Sequence, residues 1–66
     1  MASEDDVMRS TYRALSQEEK FNMEKVKDMG RAFHDFVNSL GGSRETSLAK
    51  TKIEEAVMWA VKHITG

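Results

Sequence analysis

One interruption constrains this chain more than any other feature. Leu40-Gly41-Gly42-Ser43 is the single strong break in a sequence without proline, whose other glycines are Gly30 and terminal Gly66. Before the break, Ser16-Gln17-Glu18-Glu19 has the S-x-x-E form of a capping box, with Ser16 as N-cap and Glu19 at N3. Glu18 and Glu19 also suit the positive end of a helix dipole. Apolar or small residues then recur at Met23, Val26, Gly30, Phe33, Val37 and Leu40, the alternating three- and four-residue step of a helical stripe, which Met29 and Phe36 widen. Gly41 is placed to end that helix as its C′ residue. The pattern predicts a helix over about 17–40.

Beyond the glycine pair, Ser43 and Thr46 are both possible N-caps, and a second helix is predicted over about 46–64. Ala49, Ile53, Ala56, Val57, Ala60 and Ile64 form its inward stripe, while Leu48, Met58, Trp59 and Val61 add apolar surface elsewhere. A helix apolar most of the way round needs more than one neighbour. The fold class that follows is all-α. It comprises a short N-terminal segment and an antiparallel two-helix hairpin, one domain over 1–66, assembling into a compact homo-oligomer. The first fifteen residues show no comparable period. Ser3-Glu4-Asp5-Asp6 can cap at most one turn, and Leu15 stands at the N′ position, where it can staple onto Lys20 or Phe21.

Size reinforces the need for partners. A chain of 66 residues buries only ~60% of the surface its unfolded form exposes, so small domains lean on disulfides, metals or oligomerisation. There is no cysteine, which removes disulfides and thiolate metal sites, and His34 and His63 are thin material for any other metal. Oligomerisation is the remedy left. Ten basic against eleven acidic residues give a net charge of −1, without the basic excess of a general DNA-binding protein. No apolar run approaches the ~20 residues of a membrane span and no signal peptide opens the sequence, so a soluble cytoplasmic protein is expected.

Catalysis has little support. No nucleophile–base set, H-E-x-x-H motif, P-loop or dinucleotide fingerprint occurs, and no cofactor is implied. The adjacent pairs Asp5-Asp6, Glu18-Glu19 and Glu54-Glu55 diverge by about 100° on a helix and form no acid–base dyad. His34 and His63 read as ordinary surface or interface histidines, and Phe33, Phe36 and Trp59 as packing residues. Tyr12 differs. It lies outside the apolar period beside Arg9 and Arg13, and is either a turn residue packed on the helix end or a platform on which a base stacks. Lys20, Lys25, Lys52 and Lys62 read as solvated. Lys27, next to stripe residue Val26, sits at the flank of the apolar face, where it either snorkels to water or meets a phosphate at a subunit seam. Arg44 and Lys50 surround the start of the second helix. With Thr46, Ser47 and Thr51 they make either an anion site or a set of caps and solubilising charges.

Tyr12-Arg13-x-Leu15, Ser16-x-x-Glu19 and Val26-Lys27, followed by Arg44-x-x-x-Leu48-Ala49-Lys50-Thr51 and Glu54-Glu55-Ala56-x-Met58-Trp59-Ala60-Val61, together resemble the small phage anti-CBASS sponge proteins. Their helical-hairpin domain also occurs in phage antagonists of Thoeris immunity. The similarity runs from Tyr12 to about Ile64. It implies a non-enzymatic oligomer, typically a hexamer, working in the cytoplasm of an infected bacterium. Such an oligomer sequesters cyclic dinucleotides such as 3′,3′-cyclic GMP-AMP, and cyclic trinucleotides at a second site. By the same resemblance, Tyr12 is the stacking tyrosine, Lys27 the phosphate-binding lysine, and Lys50 with Arg44 the second site. Some members carry arginine where this chain has Lys50.

Geometry adds a condition. Ser16 to Lys27 spans about 16 Å of helical rise, so Tyr12 and Lys27 meet one small ligand only if the N-terminal segment folds back or different protomers supply them. The rival to a nucleotide sponge is a helical oligomerisation or protein-interaction module.

Overall fold

The computed structural model describes residues 14–66, which form two helices and no strand: α1, Gln17–Ser39, and α2, Arg44–Thr65. Local chemistry sets both starts. At α1 the Glu19 N–H donates to Ser16 Oγ at 3.1 Å and the Ser16 N–H to Glu19 Oε1 at 2.9 Å, the reciprocal capping box. At α2 the two candidate caps act together. The Thr46 N–H donates to Ser43 Oγ at 3.0 Å and the Ser43 N–H to Thr46 Oγ1 at 2.9 Å, so the helix begins at Arg44, ahead of Thr46. Leu40 caps the end of α1, and Gly41 follows with φ 113°, a left-handed conformation that favours glycine.

The helices form a hairpin whose register is fixed by three cross-helix contacts. Lys50 Nζ donates to Asn38 Oδ1 at 2.8 Å, His34 Nε2 lies 3.3 Å from Glu54 Oε2, and Gly30 abuts Val57. Each contact is about one helical turn from the last, ascending on one helix as it descends on the other. The chains are therefore antiparallel. The helices approach closely at Gly30, where an added Cβ would collide with Val57 Cγ2.

Very little is enclosed. Val37 and Ile53 are the buried residues among those described, whereas Phe21, Met29, Phe33, Phe36, Leu40, Leu48, Met58 and Trp59 are all exposed. The stripe read from the sequence is also narrower than its spacing implied. Met23, Val26 and Gly30 are half-buried, but Phe33 is 57% and Leu40 63% exposed. At 3.6 residues per turn both lie about 60–80° from Gly30 around α1, beyond the reach of a single facing helix. None of the described helices is long and apolar enough to cross a membrane.

Candidate functional site

The Gly30–Val57 contact line divides the hairpin into two unlike flanks. On one, Lys27, Arg31 and His34 recur at helical spacing along α1 and face Glu54 of α2 across a cleft of about 320 Å³, floored by Gly30, Ile53 and Val57. On the other, Val26, Met29 and Phe33 face Ala49, Ala56 and Ala60 across an apolar groove of about 720 Å³, with Lys52 as its charged member. Phe36 and Leu40 continue the α1 side of this second flank by helical position. Small residues on α2 leave room for the groove, and aromatic and methionine side chains on α1 make it apolar.

Lys27 lies on the polar flank and is exposed. It lines the cleft from the exposed side of α1, so its ammonium reaches solvent. Arg31 Nη1 donates to Asp28 Oδ1 at 3.2 Å, and both side chains are 68% exposed. A surface pair of this kind contributes about 0–1 kcal/mol. His34 and Glu54 join the walls, with His34 the less exposed partner.

The other expected site residues fall elsewhere. Lys50 is half-buried and committed to Asn38. Asn38 stands eleven residues beyond Lys27 along α1, about 16 Å of rise, so Lys27 and Lys50 cannot share one small ligand within a protomer. Arg44, the first residue of α2, is exposed and turned about 120° from Lys50 around the helix. Around it, hydroxyls with a possible anion role have protein partners. Thr46 Oγ1 donates to the Gly41 carbonyl at 3.0 Å, and Thr51 Oγ1 to the Ser47 carbonyl at 3.1 Å. Tyr12 lies outside the described residues. Among the described residues, no group of three or more His, Asp or Glu side chains is arranged to hold a metal ion.

Arg31, His34 and Glu54 are cleft residues that the sequence reading did not single out for ligand binding. The i, i+4, i+7 spacing of Lys27, Arg31 and His34 carries that signal for α1. Nothing local places Glu54 opposite them, because the helix register is set by cross-helix contacts between residues far apart in sequence.

A family model described as Acb2/Tad1, hairpin domain, matches residues 4–65. No curated protein and no solved structure matches the chain.

Proposed function

The chain belongs to the Acb2/Tad1 hairpin-domain family, the anti-CBASS and anti-Thoeris sponges, and from that premise we propose that it is a phage anti-defence protein. It binds and sequesters cyclic dinucleotides such as 3′,3′-cyclic GMP-AMP without degrading them. Its working form is a homo-oligomer, a hexamer in this reading, in the cytoplasm of the infected host. Lys27 neutralises a phosphate and Tyr12 stacks on a base. Lys50 and Arg44 serve a second, cyclic-trinucleotide site.

The observation that carries this reading is the division of the hairpin into a polar flank bearing Lys27 and an apolar flank bearing Met29 and Phe33. The exposed Met29, Phe33, Phe36 and Leu40 of the apolar flank suit a protein-contact surface, and the other flank remains for an anionic ligand. Phosphodiesters suit it, because they carry fixed negative charge and accept charge-assisted hydrogen bonds from an ammonium. Sequestration needs no group that attacks the ligand, only affinity and copies of the site. In this reading Lys50 reaches a trinucleotide phosphate by exchanging its Asn38 bond.

The rival reading, a helical oligomerisation or interaction module, accounts for the apolar groove but gives Lys27 no task. Titration calorimetry against a panel of cyclic di- and trinucleotides separates the two. A sponge binds a member of the panel and releases it intact on heat denaturation, whereas an interaction module binds none.

A further inference from the structure

We propose that Arg31 is a second phosphate-binding residue, so that the Lys27 cleft is built for a ligand with two phosphodiesters rather than one. This deepens the proposed function and rests on it. Lys27 and Arg31 are four residues apart on α1 and line the same cleft. That spacing sets their Cβ atoms about 5–6 Å apart on one helix face, with long stems that can spread toward separate phosphates. A lysine ammonium supplies one compact charge, whereas a guanidinium supplies a planar fork that grips a phosphate through two parallel N–H bonds.

Arg31 is held in reserve rather than locked. Its partner Asp28 accepts a bond from Nη1 at 3.2 Å, but the pair is open to solvent on both sides. Exchanging an exposed carboxylate for a phosphate costs little. Asp28 is then a competitor for the guanidinium, which holds it over the surface until ligand arrives. His34 and Glu54 complete the arrangement. Their 3.3 Å contact ties α2 to the same stretch of α1 and occupies the one carboxylate that lines the cleft. That contact turns Glu54 Oε2 toward His34 rather than toward Arg31.

The test is calorimetric titration of the full chain with 3′,3′-cyclic GMP-AMP, comparing the parent with Arg31→Gln, Asp28→Asn and Lys25→Gln, with helicity and sedimentation recorded for each. Arg31→Gln should weaken binding tenfold or more, the scale of a lost hydrogen bond to a charged group, with helicity and subunit count unchanged. Asp28→Asn should tighten binding severalfold by removing the competitor. Lys25→Gln deletes the same formal charge away from the cleft and should leave affinity within about twofold, since exposed charges at a distance are screened. Equal affinity of Arg31→Gln and the parent overturns the inference while leaving the sponge reading intact. A parent that binds no cyclic dinucleotide overturns both. If Arg31→Gln fails to fold, Arg31→Lys decides: it keeps the charge but loses the planar fork and should weaken binding severalfold, and an affinity equal to the parent's overturns the second-phosphate role.

Discussion

Gly30 and Val57 touch so closely that a Cβ at position 30 would force the Val57 side chain or the helices to shift. The contact shares in setting the hairpin's register with Lys50–Asn38 and Glu54–His34, which recur at intervals of about one turn. Gly30→Ala gains up to about 1 kcal/mol in helix propensity, but overpacking a tight contact costs about 1–3 kcal/mol. A net loss of stability is expected, read as a lower urea midpoint. Val57→Ala in the same chain should recover part of it, because the two residues share one contact and are not additive.

The start of α2 offers a cleaner local test. Ser43 Oγ accepts from the Thr46 N–H while Thr46 Oγ1 accepts from the Ser43 N–H. Ser43→Ala removes the side-chain half of this box and should cost about 1 kcal/mol. Ser43→Gly should cost only a few tenths. Thermal unfolding followed by circular dichroism checks both.

These caps also show what a sequence of this kind discloses. Ser16 with Glu19, and Gly41 after Leu40, are local signals, and they delimit α1 because their chemistry is completed within a few residues. Ser43 and Thr46 compete as caps on paper because both take part in the same box. Phe33 and Leu40 were less legible. Their spacing is helical, but how wide a stripe gets covered depends on the facing helix, and α2 covers only the line through Gly30 and Val37. Lys27 could be placed at a flank from its neighbour Val26, whereas the pairing of His34 with Glu54 depends on residues twenty positions apart. No local pattern encodes that distance.

Trp59 tests assembly. It is 59% exposed on the single hairpin, with Lys62 Nζ 5.8 Å from its ring centroid. In an isolated hairpin Trp59→Ala would forfeit little beyond that exposed cation–π contact, about 0.5–1 kcal/mol. If Trp59 is buried between subunits, the same change should cost about 3–5 kcal/mol and dissociate the oligomer. Sedimentation equilibrium distinguishes these outcomes, and a parent chain that sediments as a folded monomer at micromolar concentration would refute the oligomer itself.

Lys50 has a structural task whatever else it binds. Lys50→Met keeps the stem and deletes the donor to Asn38, and should lower stability by about 0.5–1.5 kcal/mol. Under the second-site reading it should also abolish cyclic-trinucleotide binding while leaving cyclic-dinucleotide binding at Lys27 within about twofold, since the residues are about 16 Å apart along the hairpin. Parallel titrations with the two ligand classes measure this.

The central claim is that the Lys27 flank captures a cyclic dinucleotide, and one paired measurement addresses it most directly. The parent, Lys27→Ala and Tyr12→Ala are titrated calorimetrically with 3′,3′-cyclic GMP-AMP, and the bound ligand is recovered after heat denaturation. The account predicts saturable binding by the parent, ligand recovered intact, and a loss of about 1–3 kcal/mol in each variant, about five- to more than a hundredfold in affinity. Helicity and subunit count should be unchanged in Lys27→Ala, because Lys27 is exposed and off the apolar flank. Equal affinity in the parent and both alanine variants, or no binding by the parent at all, would contradict it.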